Sequence, residues 1–327
     1  MNVLVTGGGG FIGSHLVADQ LARGRKVRAL DLELSTLKPW GDHPQLQCLQ
    51  GDIRDRNLVH RALSGIDVVF HLASAHLSLR TSEREYWEVN VTASEDLVHL
   101  CQVAGVKRVV HCSSVGVYGE VRHPPADEES PCHPDLIYEQ TKLAGEQAIL
   151  RFYRETGYPL SIVRPVWVYG PGCPRTAKLF RTIRQRKFIM VGNGQTWRHC
   201  VYIADLIEGL NLCALRQEAI GETFIIGDNA AITTRHLLEE IASVMGVPAP
   251  RLKVPLWAMA PVCTIAEALF DVAGKEPPFS KRSLKFFTNN TGFDITKAKT
   301  LLTFVPQVSL RDGLQRTYAH LQQAGQL

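Results

Sequence analysis

The segment Thr6–Gly13, TGGGGFIG, follows a short apolar run (NVLVT) and opens a helical pattern (FIGSHLVADQLARG). Glycines at such a junction let the backbone turn tightly and approach a pyrophosphate, which binds at the N-terminus of the following helix. A glycine-rich turn without a ligand is the simpler interpretation of a bare glycine motif. The strand before it and the helix after it favour the dinucleotide site.

A second feature of the N-terminal region is Asp31, which ends the apolar run KVRALD and lies 18 positions after Gly13. A carboxylate at this place accepts hydrogen bonds from the ribose hydroxyls and repels a 2′-phosphate. The sequence therefore predicts NAD as the cofactor, rather than NADP.

Short β-branched runs alternate with helical patterns from the N-terminus to about residue 165, which is typical of βαβ units on a parallel sheet. Beyond about residue 170 the pattern changes to mixed short strands and helices, including TTRHLLEEIASVMG with a threonine cap and a glycine stop. We expect an α/β protein with a Rossmann-type doubly wound parallel sheet. Residues 1–170 are the predicted NAD-binding domain, and residues 171–327 a smaller mixed α/β substrate lobe interleaved with it.

The spacing T-G-x-x-G-x-x-G resembles that of the extended short-chain dehydrogenase/reductase family, also called the NAD-dependent epimerase/dehydratase family, and the likeness covers nearly the whole chain. It implies a homodimer. It also places Asp52 and Ile53 beside the adenine. The other cofactor residues that it implies are Gly7, Gly10, Phe11, Ile12, Gly13, Leu72, Ala73, Ser74, Tyr138, Lys142 and Val166.

The same likeness gives roles to HCSSVGVYG, which contains Ser114, and to YEQTK, which contains Tyr138 and Lys142. Residues four apart share a helix face, so that phenol and ammonium can reach one point. A phenol has a pKa near 10 and is a poor base unless a nearby cation favours the phenolate. We expect Tyr138 to exchange a proton with a substrate hydroxyl as hydride moves to or from nicotinamide, with Lys142 as modulator and Ser114 bonded to the oxygen.

The residues after Ser114 narrow the reaction. The sugar dehydratases of this family have Asp and Glu there and the decarboxylases keep a Glu, whereas this chain has Val115 and Gly116. Reactions of those two types are therefore disfavoured. A 4-epimerase, an alcohol dehydrogenase and a ketone reductase all stay open.

Two motifs concern the substrate. RPVWVYGPG has Trp167 where nucleotide-sugar enzymes usually have an Asn that contacts the substrate, and Trp offers one N–H and a large apolar face. In GNGQTWRHCVYIADL, Arg198 matches the family's diphosphate-binding arginine, while its neighbour His199 departs from the usual Asp. An arginine fork suits phosphate, although a surface ion pair is the simpler interpretation. A nucleotide sugar is narrowly favoured.

The C-terminal region favours a different substrate. RSLKFFTNNTGFDITKAKTLLTFVPQVSLRDGLQRT resembles the tail of 3β-hydroxysteroid and sterol-4α-carboxylate dehydrogenases, and the apolar run VPLWAMAPVCTIAEALF before it suits a hydrophobic substrate. A steroid-like alcohol is thus the alternative. A non-catalytic dinucleotide sensor is a further one, which the intact Ser114, Tyr138 and Lys142 oppose.

Composition limits the other classes. The 327 residues are 45% hydrophobic, and 36 Lys and Arg against 32 Asp and Glu give a net charge of +4, too small to indicate nucleic acid. The basic run Arg175–Lys187 is expected to form either the solvent-exposed face of an amphipathic helix or a patch that faces a phosphate. Eight scattered cysteines form no C-x-x-C and no metal-ligand spacing. We therefore expect a cytoplasmic protein without a bound metal and without a signal peptide.

The longest apolar run extends from Val254 to Ala266 and is too short to span a membrane. It can instead cover an apolar pocket or touch a membrane surface.

Overall fold

Parallel strands form the central sheet of the protein. The computed structural model describes residues 1–75, 81–259, 261–263 and 281–327. Within these residues the sheet has seven strands in the order β11-β6-β5-β4-β1-β2-β3, and every neighbouring pair is parallel. Its strands are β1 (Asn2–Thr6), β2 (Lys26–Asp31), β3 (Leu46–Gln50), β4 (Val68–His71), β5 (Arg108–Cys112), β6 (Leu160–Pro165) and β11 (Thr223–Ile226). The predicted Rossmann-type sheet is confirmed.

Helices flank this sheet and continue through the C-terminal part. They are α1 (Phe11–Ala22), α2 (Arg56–Ala62), α3 (Glu83–Trp87), α4 (Ala93–Val103), α5 (Ile137–Thr156), α6 (Pro174–Arg184), α7 (Ile203–Leu215), α8 (Thr234–Met245), α9 (Lys281–Thr288), α10 (Thr296–Leu302) and α11 (Leu310–Gln323). A π-helical turn at Glu88–Thr92 joins α3 to α4, and 3₁₀ turns lie at Ser35–Trp40, Val115–Tyr118 and Gln217–Ala219. The predicted cap and stop of α8 are confirmed, since the Thr233 side chain accepts from the His236 N–H at 3.1 Å and Gly246 is left-handed with φ +66°.

Alternate residues of each strand serve different cores. Val3 and Val5 pack with the apolar faces of α1 and α7, whereas Leu4 packs with those of α2, α4 and α5. All three side chains are completely buried. Helices therefore cover both faces of the sheet, which explains why its strands are nearly continuous apolar runs.

The described residues of the C-terminal part form three short strand pairs together with helices. The pairs are β7 (Trp167–Tyr169) with β10 (Cys200–Tyr202), β9 (Trp197–Arg198) with β12 (Ile232–Thr233), and β8 (Met190–Val191) with β13 (Lys253–Val254). Between them the chain returns to the large sheet as β11, which pairs with β6.

The apolar run at 254–270 is only partly described. Residues 256–259 and 261–263 are helical, and residues 264–270 lie outside the described part of the chain. No helix in the described ranges is long and apolar enough to cross a membrane.

Candidate active site

Several predicted site residues follow the carboxyl ends of the parallel strands. Main-chain hydrogen bonds join these ends: the Gly7 N–H donates to the Leu30 carbonyl at 2.8 Å, the Leu72 N–H to the Thr6 carbonyl at 3.0 Å, and the Ser113 N–H to the Val163 carbonyl at 2.7 Å. The glycine loop, the end of β4 and the serine after β5 therefore lie along one edge of the sheet. Ligands of open α/β sheets bind at this edge.

The glycine loop is packed too closely for larger residues. Gly7 has φ +71°, and a Cβ on it would lie 2.6 Å from the Ala73 nitrogen. A Cβ on Gly9 would lie 1.8 Å from the Glu33 oxygen, and one on Gly13 would lie 1.9 Å from the Gly7 oxygen. No side chain caps the N-terminus of α1, where Gly10 is the capping residue. The closely packed glycine loop and the uncapped N-terminus of α1 fit a pyrophosphate.

Asp31 faces this loop. Its carboxylate accepts from the Gly9 N–H at 2.9 Å and from the Glu33 N–H at 3.3 Å. These two bonds fix the carboxylate beside the glycine loop. They leave oxygen lone pairs that can accept from further donors, such as ribose hydroxyls. The geometry therefore fits the ribose contact expected for NAD.

The other predicted cofactor residues also line this edge. Asp52 accepts a forked contact from Arg54, with one N–O distance of 2.6 Å, and these bonds lower the pKa of the Asp52 carboxyl. Its neighbour Ile53 is buried. The Val166 N–H, just past β6, donates to the Ile226 carbonyl at 3.1 Å. The structure thus groups the strand-end residues, although Asp52 already has an arginine partner.

Ser114 and Tyr138 are in direct contact. Their side chains share a hydrogen bond, and the Ser114 Oγ also accepts from the Gly116 N–H at 3.0 Å. Burial, with a further contribution from the Cys112 thiol, raises the pKa of Tyr138 to about 12, although Arg175 and Ser114 oppose the rise. The phenol is therefore neutral at physiological pH in this environment, and a phenolate requires more positive charge nearby.

Lys142 lies one helical turn after Tyr138 and is buried. Its Nζ donates to the Cys112 carbonyl at 2.7 Å. Burial lowers the pKa of the ammonium. Because Cys112 ends β5 two residues before Ser114, this bond fastens the lysine to the strand that carries the serine.

The start of α5 is fixed by a carboxylate. The Asp135 and Leu136 N–H groups donate to Glu139 Oε2 at 3.0 and 3.1 Å. A Cβ on Gly116 would lie 3.1 Å from the Glu139 Cγ, so this side chain also borders the turn after Ser114. Burial raises the pKa of Glu139. Glu139 thus caps the helix that presents Tyr138.

A buried ion pair, absent from our sequence predictions, anchors the same helix. Arg164 of β6 contacts Glu146 of α5 at 2.6 Å, and both side chains are at least 92% buried. The Arg164 Nη1 also donates to the Tyr118 hydroxyl at 2.6 Å. In the sequence, only the spacing of Glu146 pointed to a role beside the site. Glu146 lies four residues after Lys142, which places both side chains on one helix face.

Asn90 is a second residue that the sequence reasoning missed. It lies in the π-helical turn, and its Oδ1 accepts from the Ser74 Oγ and the Ala75 N–H, both at 2.9 Å. Its Nδ2 donates to the Thr141 Oγ1 at 3.0 Å. Asn90 therefore links the end of β4 to the helix of Tyr138 and Lys142. An asparagine within a helical segment is intrinsically unfavourable, and that could have drawn attention to it.

The predicted substrate residues meet at an aromatic wall, which we define as Trp167, Phe286 and Arg198. The rings of Trp167 and Phe286 are 6.2 Å apart, edge to face, and the Arg198 guanidinium lies 4.7 Å from the centre of the Phe286 ring. In the sequence, Phe286 lies within the tail that resembles those of the steroid dehydrogenases. The structure therefore brings Trp167 and Arg198 together through a residue of α9.

The protein itself binds much of the Arg198 guanidinium. Nη2 donates to the Lys285 carbonyl at 3.1 Å and to the Phe286 carbonyl, and Nη1 donates to the Thr291 hydroxyl at 3.3 Å. Nε has no partner among the described residues. Burial lowers the pKa of Arg198 to about 10. Arg198 thus bonds the end of α9 with three of its five N–H groups, and the N–H of Nε is one of the two that remain.

His199, which departs from the family pattern, is buried. Its Nε2 lies 2.8 Å from the Asp228 carbonyl, and its Nδ1 accepts from the Phe293 N–H at 3.3 Å. Burial lowers the pKa of this imidazole, so the ring is neutral. His199 therefore connects backbone segments.

The described ranges contain no cluster of three or more His, Cys, Asp or Glu residues that could bind a metal ion. The structure brings Ser114, Tyr138 and Lys142 together at the end of β5.

Comparison with known proteins shows what the chain is similar to. The model of the NAD dependent epimerase/dehydratase family matches residues 3–227. An N-acetyl-alpha-D-glucosaminyl-diphospho-ditrans,octacis-undecaprenol 4-epimerase of Escherichia coli O157:H7 is 29% identical over 97% of this chain and 94% of its own. Sterol demethylase protein B of Methylococcus capsulatus is 31% identical over 94% of each chain. The solved structure of a UDP-glucuronic acid 4-epimerase from Bacillus cereus in complex with NAD has a TM-score of 0.81 and 26% identity, over 99% of both chains.

Proposed function

Because the chain belongs to the NAD-dependent epimerase/dehydratase family and is an enzyme that uses NAD, we propose that it transfers hydride at a secondary alcohol or ketone of a sugar diphosphate. Its most specific form is a 4-epimerase, which oxidises the 4-hydroxyl and reduces the ketone from the opposite face. The observation that carries the proposal is the contact between Ser114 and Tyr138, one helical turn from buried Lys142, at the edge that carries the glycine cradle.

Bound NAD supplies the hydride acceptor and, when oxidised, a positive charge. Tyr138 takes the proton of the substrate hydroxyl and returns it on reduction. Ser114 donates to the same oxygen. The pKa of Tyr138, about 12, must fall for the phenol to act as a base at neutral pH, and the buried Lys142 ammonium and the oxidised nicotinamide favour the phenolate.

The turn after Ser114 supports a reaction limited to hydride and one proton. Val115 and Gly116 offer no acid or base, and the bordering Glu139 carboxylate is engaged by two backbone N–H groups. Removal of water or carbon dioxide would need an additional proton-transfer group. Simple oxidation and reduction need none.

We assign the diphosphate to the neighbourhood of Arg198. The similar epimerases act on diphospho-sugars, namely a polyprenol-linked one and UDP-glucuronic acid. The Nε of Arg198 is buried and has no hydrogen-bond partner among the described residues, so that a phosphate oxygen that reached the guanidinium would satisfy this donor. Trp167 offers an apolar face to the same substrate.

A second candidate is a 3β-hydroxysteroid or sterol-type dehydrogenase. It is favoured by the two aromatic rings of the wall and by the likeness to a sterol demethylase protein. In this case the aromatic wall packs against fused rings, and Arg198 acts only as the bond to the end of α9.

The remaining assignments belong to the same proposal. We place the boundary between the NAD-binding domain and the substrate lobe near residue 170, with β11 as the strand by which the second part is interleaved with the first. Family resemblance supports a homodimer, and the scattered cysteines without a disulfide framework support a cytoplasmic location.

Purified protein with NAD would test the two candidates. UDP-, GDP- and dTDP-sugars, polyprenol diphospho-N-acetylglucosamine and 3-hydroxysteroids would be offered, and both reduced nicotinamide and product stereochemistry measured. The proposal predicts a C4 epimer from a diphospho-sugar. Accumulation of reduced nicotinamide with a steroid alone would replace it by the second candidate, and no reaction with any secondary alcohol would refute both.

A further inference from the structure

One surface of the substrate lobe combines exposed apolar side chains with cations. We call it the basic-apolar face and define it by residues 184–187 and 251–262, without residue 260. Trp257 is 79% exposed and Leu252 is 59% exposed. Leu256 and Val262 are also exposed, and so are the charged side chains of Arg251 and Lys253. Large apolar side chains this open to water are costly unless something covers them.

The charge of this face has one sign. Residues 184–187 contain three Lys or Arg and residues 251–262 contain two, and neither segment contains an Asp or Glu. The helix α8 packs nearby and carries Glu239 and Glu240, but Glu240 is paired with Arg311 at 3.3 Å. Among the described residues, no ion pair joins a cation of the face to an acid.

A strand pair joins the two segments. The Met190 N–H donates to the Leu252 carbonyl at 3.0 Å, and the Gly192 N–H donates to the Val254 carbonyl at 2.9 Å. Because β8 and β13 run parallel, the cations that precede β8 and those of Arg251 and Lys253 lie at the same end of the pair. The patch is a feature of the fold, as well as of the sequence.

The opposite side of the short helical segment is packed. Met259 and Cys263 are buried with Val191 of β8 and Leu284 of α9. This contact fixes which side of the segment faces outward. It also places the basic-apolar face one helix away from the aromatic wall, since α9 carries Phe286.

We propose that the basic-apolar face docks on an anionic membrane surface. Leucine and tryptophan side chains enter the boundary between head groups and acyl chains, and tryptophan suits this boundary because it is apolar with one polar N–H. Lysine and arginine contact the negative head groups at the same depth. A protein partner or a second copy of the chain would match the apolar residues, but a surface without a single acid over two segments is most complementary to an anionic bilayer.

Docking in this way brings the aromatic wall close to the lipid. A substrate whose diphosphate is linked to a lipid, or whose body is hydrophobic, then reaches the site directly from the membrane. The docking itself depends neither on the reaction nor on the proposed function.

Flotation of the full-length protein with vesicles tests the proposal. Phosphatidylcholine vesicles would be compared with vesicles that also contain phosphatidylglycerol, at low and high salt, without substrate. We expect binding to the anionic vesicles that high salt weakens. The double variant Arg251→Gln/Lys253→Gln should bind about thirtyfold more weakly, because each cation near a charged surface contributes about 1 kcal/mol.

The apolar part needs its own variant. Leu256→Ser/Trp257→Ser should weaken binding by about tenfold or more, given the transfer energy of large apolar side chains. Val103→Ser and Arg61→Gln are matched controls, since Val103 is 79% exposed and Arg61 is exposed at sites outside the face. Both controls should bind as the parent does. Quenching of tryptophan fluorescence by brominated lipid should fall in Trp257→Phe.

Three results would overturn the proposal. The first is absence of binding to anionic vesicles, and the second is binding that the face variants and the controls lose equally. The third is a parent dimer that becomes monomeric in Leu256→Ser/Trp257→Ser, because the face would then be covered by a second copy. The proposed function and the membrane docking are tested separately. If the protein does not turn over a water-soluble substrate, the proposed function fails, but vesicle binding stays unchanged.

Discussion

The carboxyl edge of the sheet and the aromatic wall are built from different interactions. At the edge, strand-to-strand hydrogen bonds, the Arg164–Glu146 pair and the Asn90 amide position Tyr138 and Lys142. At the wall, a single guanidinium bonds the end of α9 and packs on one ring. The carboxyl edge is held by several independent interactions that belong to the fold, whereas the aromatic wall depends on a few side chains. We therefore expect the chemistry to be tolerant of changes at the wall, and the choice of substrate to be sensitive to them.

The largest expected effect tests the anchoring of the edge. Glu146→Ala leaves Arg164 buried without its partner, and breaking a buried pair in this way costs about 3–5 kcal/mol of the free energy of unfolding. Urea denaturation measures it, with Glu155→Ala on the exposed side of the same helix as control. A loss no larger than that of the control would show that the pair does not anchor α5, and the contrast between the two regions would weaken.

The next effect concerns the chemistry of the edge. Tyr138→Phe removes the proton-transferring hydroxyl and should reduce turnover about a hundredfold or more, while the fold and NAD affinity stay nearly unchanged. Tyr153→Phe, on the same helix, is the matched control and should behave as the parent does. Turnover of Tyr138→Phe within a few-fold of the parent would remove Tyr138 from the mechanism.

A smaller effect tests the wall. If Arg198 contacts a diphosphate, Arg198→Ala should weaken the binding of UDP about ten- to a hundredfold, the range for a hydrogen-bonded charge, and leave NAD affinity unchanged. Thr291→Val is the control, because it removes one protein partner of the guanidinium and keeps the charge. Lower stability in Arg198→Ala with unchanged UDP affinity would make Arg198 purely the bond to α9 and would favour the sterol-type candidate.

The smallest effect sharpens the description of the cofactor cradle. Asp31 should favour NAD because its carboxylate repels a 2′-phosphate, so that Asp31→Ala should narrow the ratio of NAD to NADP affinity by about tenfold. Fluorescence titration of both cofactors gives the ratio, and Asp42→Ala at an exposed site is the control. Equal affinities in the parent would contradict the assignment of Asp31.

The same contrast explains what could be predicted from the sequence. The sheet, its glycine loop and the YEQTK helix depend on local patterns that the sequence shows directly. Because strand ends meet at one edge in any parallel sheet, Ser114 and Tyr138 could be predicted to lie at that edge. The Asn90 and Arg164 contacts join segments 51 and 18 residues apart and have no local pattern. Phe286 was not predicted to meet Trp167 and Arg198 because that meeting depends on how α9 docks. The engagement of Arg198 by carbonyls of α9 depends on the same docking.

The central claim is hydride transfer by NAD at a carbon whose hydroxyl faces Tyr138. The most direct measurement uses a diphospho-sugar deuterated at C4, incubated with protein and NAD, and follows the label in the product by mass spectrometry. We predict that the C4 epimer keeps its deuterium, because hydride leaves and returns within one site, and that Tyr138→Phe forms it at least about a hundredfold more slowly. An epimer that has exchanged its deuterium for solvent hydrogen, at a rate that does not depend on NAD, would contradict the account.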